Sequence, residues 1–163
     1  MKTWLRLPLV LTAVGGGCTG VLATLQLFSY LPDHGPRYAL VVLIAFTIYS
    51  FLTVAGLLFV YDVNLIWPML VAFVLLIPWV NLPGLRYQMY SLLYSAISFG
   101  PPNGNGRVGT YIDWSANFGT HADLRIGGLP EDNWSVGVNL FALLIVIFLL
   151  MYSRTIGKKT NSA

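Results

Sequence analysis

Tyr111, Asp113, His121, Asp123 and Arg125 are the side chains of this sequence best placed to do chemistry. They fall at alternate positions of two short runs, so they share the polar side of any extended structure formed there. A histidine with a carboxylate pair could hold a divalent metal or pass protons as acid and base. Alternation alone also puts polar residues on the wet side of a half-buried strand. That simpler reading is preferred, and no catalytic residue, metal ligand or cofactor is assigned. His34 follows Asp33 in a Pro-Gly turn and reads as turn chemistry. Asn133, Trp134 and Ser135 match a glycosylation triplet but abut an apolar run. The single Cys18 excludes a disulfide framework or a Cys-x-x-Cys redox pair within the chain.

The elements that must position these residues follow from composition. Hydrophobic residues make up 56% and charged residues 9% of the 163, with a net charge of +3. Soluble domains carry about 25% charged residues, so the lipid bilayer is the expected partner of most of the surface. The basic residues are scattered, which excludes a nucleic-acid footprint. No charge occurs in Leu7 to Pro32, Tyr38 to Tyr61, Val63 to Leu85 or Asn133 to Ser153. A helix needs about 20 apolar residues to cross the hydrocarbon, and four spans are predicted: Leu7 to Phe28, Tyr38 to Tyr61, Leu65 to Leu82 and Val136 to Tyr152. Pro68 and Pro78 predict a kink or a re-entrant path in the third. Lys2, Arg6, Arg154, Lys158 and Lys159 lie at the chain ends, which favours both termini cytoplasmic in a bacterial inner membrane.

Thr12, Gly16, Gly20 and Thr24 recur every four residues, and Thr47, Ser50, Thr53 and Gly56 answer them in the second span. Small faces of this kind let helices approach closely. Gly16, Gly20, Thr24, Ser50 and Thr53 are the predicted packing residues. No Asp, Glu, Lys, Arg or His lies inside any span, which argues against an ion pump or a haem carrier.

About fifty residues separate the third and fourth spans, far beyond an ordinary helix connection. Gln88, Ser91, Ser95 and Ser98 fall at helical spacing and predict an amphipathic interfacial helix over 85–99. A breaker run, Gly100 to Gly106, must end it. Val108, Thr110, Ile112 and Trp114, then Ala122, Leu124 and Ile126, alternate with polar or small residues and predict a small β-hairpin over 108–126, turning at Ser115 to Gly119. The expected fold is therefore an all-α four-transmembrane-helix bundle over 1–163, with interfacial helix and hairpin forming an extracytoplasmic subdomain at 83–135.

This outline resembles two families of small membrane enzymes. The bacterial disulfide-generating quinone oxidoreductases need cysteine pairs in their loops, where this chain has none. The lipoprotein signal peptidases need paired aspartates in Asn-containing motifs that Asp113 and Asp132 lack. The resemblance is one of outline and carries over no residue. The function expected is non-enzymatic: an inner-membrane protein whose outer loop binds a membrane or extracytoplasmic protein, such as a complex subunit, an assembly factor or an immunity-type protein. Tyr111, Trp114 and Phe118 are the predicted contacts, because aromatics are enriched at interfaces. The alternative is a small membrane enzyme or lipid-binding protein with a site at the outer interface.

Overall fold

The computed structural model describes residues 3–31, 35–100, 111–126 and 134–160. Helix α1 (Thr3–Val10) passes through a π-helical turn, Leu11–Gly15, into α2 (Gly16–Phe28). The widened turn has a local cause: Pro8 lacks a donor, and the Thr12 hydroxyl takes the Pro8 carbonyl at 2.8 Å. Helix α3 (Pro36–Tyr61) starts with proline in its first turn and ends at Asp62, whose Oδ1 accepts the Asn64 N–H at 2.8 Å. Helix α4 (Ile66–Leu75) is short, and α5 (Leu140–Thr160) closes the described chain.

Among the described residues between α4 and α5 lie six strands: β1 (Pro78–Leu82), β2 (Leu85–Tyr90), β3 (Leu93–Gly100), β4 (Tyr111–Phe118), β5 (His121–Ile126) and β6 (Ser135–Asn139). They form one antiparallel sheet in the order β4-β3-β6-β1-β2-β5. Pairing of β2 with β5 runs from Leu85↔Ile126 to Tyr90↔His121, and pairing of β3 with β4 resumes in the same register from Leu93↔Phe118 to Gly100↔Tyr111. The two arms are thus a single two-stranded ribbon, 85–100 against 111–126, folded sharply at Ser91–Leu92 and Gly119–Thr120. Leu92 has φ 62° and Gly119 φ 137°, and the Gly119 N–H bonds the Leu92 carbonyl at 2.8 Å across the fold. Strand β6 then pairs with both β1 and β3, so the sheet curls on itself.

The corner of the ribbon is tied to the long helices. Ser91 Oγ donates to the Thr12 carbonyl at 2.7 Å, Thr19 and Thr120 hydroxyls lie 2.7 Å apart, and Tyr49 Oη donates to the carbonyls of Tyr90 (3.2 Å) and His121 (2.6 Å). Asn139, buried at the start of α5, accepts from the Phe141 and Ala142 N–H groups and donates to the Leu76 carbonyl, which pins β6 to α4. Leu52, Phe59, Met69, Phe73, Met89 and Leu149 join helices and sheet in one core.

This architecture corrects the all-α expectation. The 85–99 segment is β2, the corner and β3, not an interfacial helix. The serine spacing mimics a helical stripe, but Tyr87, Tyr90, Tyr94, Ile97 and Phe99 have the shapes that suit a pleated surface. The 108–126 hairpin is also corrected: β4 and β5 do not pair with each other but sit at opposite ends of the sheet. In place of four helical spans, two helices among the described residues are long and apolar enough to cross a membrane, Arg6–Phe28 and Pro36–Tyr61. The other two apolar segments are composites, α4 followed by β1 and β6 followed by α5. Hydropathy registers the length of an apolar run and is blind to where helix gives way to strand.

Candidate functional site

Strand register sorts the sheet residues onto two sides, and the sorting is the reverse of that in a water-soluble sheet. One side carries the rows Phe99–Val136–Val80–Tyr87–Leu124 and Ile97–Val138–Pro78–Met89–Ala122, with Leu93, Phe118, Leu82, Leu85 and Ile126 at the margins. It is almost wholly apolar. The other side carries Ser98–Gly137–Trp79–Gln88–Asp123 and Ser135–Asn81–Arg86–Arg125, with Asn117, Tyr90, Tyr94 and His121 nearer the corner.

The polar side is the concave one. Tyr90 on β2 stacks on Tyr94 on β3 at 4.4 Å between ring centroids, and Tyr90 bonds the side chain of Asn117 on β4, four places away in the strand order. Tyr94 is the cross-strand partner of Asn117, so these contacts lie on the inner side of the ribbon's fold at Ser91–Leu92. Asp123 holds two arginines, Arg86 Nε at 3.1 Å and Arg125 Nε at 3.0 Å. The convex side splits in two: Met89, Tyr87 and Ala122 pack on the helices, whereas Leu93, Ile97, Phe99, Phe118, Val136 and Val138 are exposed, Phe118 to 75%. Among the described residues β4 pairs only with β3, so its outer edge is open.

Tyr111, Trp114 and Phe118 all lie on β4, with Trp114 opposite Ile97 and Phe118 opposite Leu93. Asp113 and Asp123 occupy opposite ends of one row across the six strands, and His121 lies on β5 against Tyr90, 5.4 Å between ring centroids. Among the described residues no three of His, Cys, Asp and Glu gather as metal ligands would. Asp33, His34 and Asn133 lie outside the described residues. Gly16 meets Ser91 of the ribbon corner, Gly20 the Tyr49 ring, and Gly17 meets Thr53. Thr24 is buried and bonds the Gly20 and Val21 carbonyls, and Ser50 lines a shallow hollow with Cys18 and Val54. Arg86, Gln88 and Asn81 were not legible as site residues, because only cross-strand register brings them beside Asp123 and Arg125.

The Tyr87 hydroxyl donates to the Leu75 carbonyl at 2.5 Å, which ties β2 to the end of α4.

No protein-family model, curated protein or solved structure matches the chain.

Proposed function

We propose that this chain is a non-enzymatic integral membrane protein of a bacterial inner membrane, both termini cytoplasmic, that binds a membrane or extracytoplasmic protein by accepting an extended apolar segment along β4. The observation that carries the reading is a strand edge that is unpaired among the described residues and flanked by a bare apolar face. Lipid tails can cover Ile97, Phe99 and Phe118 but cannot pair with a row of backbone N–H and C=O groups. An added strand does both, with side-chain pockets setting specificity. Tyr111, Trp114 and Phe118 are the contacts, Trp114 and Phe118 at convex register positions and Tyr111 at a concave one.

Several features support immersion in lipid. The most apolar windows of the two long helices are only 39% and 33% buried, where a helix in a soluble core would be mostly buried. Helix α4 is 10 residues long, roughly 15 Å, and the charge-free part of α5, Leu140–Ser153, covers roughly 21 Å, both short of the roughly 30 Å hydrocarbon. Strands β1 and β6 are paired along both edges, so they can complete those crossings without stranded backbone groups. Arg6 donates to the Phe59 and Val60 carbonyls at the far end of α3. Helix α5 starts beside Leu76 and packs back along α4 toward that same end, which gathers Arg6, Arg154, Lys158 and Lys159 on one side.

The test is a photo-crosslinking amino acid installed at Phe118 or, as a lipid-facing control, at Leu22, which is 62% exposed. Irradiation of native membranes is expected to give one defined protein adduct from position 118 and none from position 22. Lipid adducts from both positions, or an adduct only with a second copy of the chain, would overturn the reading.

A further inference from the structure

A cavity of about 610 Å³ lies between the N-terminal half of α3 and the outer flank of β5. Its volume is that of a small-molecule site, typically about 300–1,000 Å³. Its lining is mostly apolar, with Val41, Val42, Ala45 and Ala122 toward the middle of α3 and Leu124 and Ile126 beside Arg125; Arg37, in the first turn of α3, and Arg125, near the end of β5, fall at the same end. Arg37 to Ala45 is eight helical residues, roughly 12 Å at about 1.5 Å per residue, the length of a medium acyl chain.

The charge at the rim is positive. The acidic group lining the cavity is Asp123, and both its oxygens are engaged, Oδ2 by Arg86 and Oδ1 by Arg125. Arg125 spends only Nε on that pair, and its side chain is 60% exposed. Arg37 has no ion-pair partner among the described residues. Two guanidinium groups above an apolar slot, at the positive end of a helix dipole, match a molecule with an anionic head and a hydrocarbon tail. Asp123 is the positioning residue, because it fixes the Arg125 stem and leaves the terminal nitrogens to the ligand.

We propose that this cavity binds an anionic amphiphile, with its phosphate or carboxylate on Arg37 and Arg125 and its tail against Val41 and Ala45. The site is separate from the β4 edge, so it stands or falls independently of the partner reading. The shared chemistry could come from a membrane phospholipid or from a soluble phosphate ester, and the experiment distinguishes them. The full chain in a neutral detergent is titrated with phosphatidylglycerol, phosphatidylcholine of the same acyl chains, or glycerol phosphate, and bound ligand is read by native mass spectrometry. Phosphatidylglycerol is expected to be retained at about tenfold lower concentration than phosphatidylcholine, a preference that charge-assisted hydrogen bonds supply. The double variant Arg37→Gln, Arg125→Gln should erase that preference. Val41→Trp, at a partly buried position one helical turn beyond Arg37, fills the slot and should reduce retention of phosphatidylglycerol with the thermal midpoint preserved. Equal retention of the two lipids, a preference that survives in the double variant, or unimpaired binding to the Val41→Trp chain would overturn the proposal. Displacement of phosphatidylglycerol by an equal concentration of glycerol phosphate would also overturn it, assigning the rim to a soluble ester.

Discussion

Gly20→Val is expected to be the most disruptive single substitution in the helical half of the molecule, lowering stability by about 3 kcal/mol or more. A Cβ at position 20 would overlap the ring of Tyr49. That ring has little room to retreat: it is 1% exposed, and its hydroxyl is committed to the carbonyls of Tyr90 and His121. The substitution must either part α2 from α3 or break the tie between α3 and the ribbon corner. Gly15→Val is the control, because nothing lies within 4 Å of a Cβ there. Denaturant titration in mixed micelles should separate the two variants clearly. Combining Gly20→Ala with Tyr49→Leu should recover part of the loss of Gly20→Ala, since the smaller side chain vacates the contested space; coupling of about 1 kcal/mol or more is expected for residues in direct contact. If Gly20→Val melts like Gly15→Val, the close packing of α2 on α3 at this point is wrong.

The same residues illustrate how much the sequence discloses. The small-residue spacing of Gly16, Gly20 and Thr24 is plain in the chain, but its targets are not. Gly16 lies against Ser91, 75 positions away, a contact that no helix-on-helix periodicity could suggest. Apolar run lengths locate Arg6–Phe28 and Pro36–Tyr61 directly. They mislead at 65–82 and 136–152, where helix and strand share one run. Period-two alternation in 111–126 is visible in the sequence, but pairing is a non-local fact: β4 and β5 look like partners because they are adjacent, and the fold at Gly119 sends them to opposite edges. The polar cluster around Asp123 needs Arg86, which arrives only through the β2–β5 register.

The reversed polarity of the sheet leads to the second large effect. If the bare convex face lies against lipid, Ile97→Lys and Val138→Lys, which oppose each other in the β3–β6 register, should each cost about 2–4 kcal/mol in a bilayer, as lysine does on the lipid face of a membrane strand. Two ammonium groups side by side add repulsion, so the double variant is expected to fail to fold in liposomes while surviving better in a detergent whose headgroups can reach the lysines. The concave row gives the opposite expectation. Gln88→Leu keeps the side-chain bulk on the polar side and should cost under about 1 kcal/mol where the basin is wet, since exchanging one partly exposed polar group for an apolar one breaks no side-chain hydrogen bond among the described residues. Were the sheet standing free in water, the ordering would invert: lysines on an exposed strand face would be tolerated to within about 0.5 kcal/mol and an added leucine would create an apolar patch. The liposome and detergent stabilities of these two variants therefore decide whether β1 and β6 complete the crossings that α4 and α5 begin, or whether only α1–α2 and α3 enter the membrane.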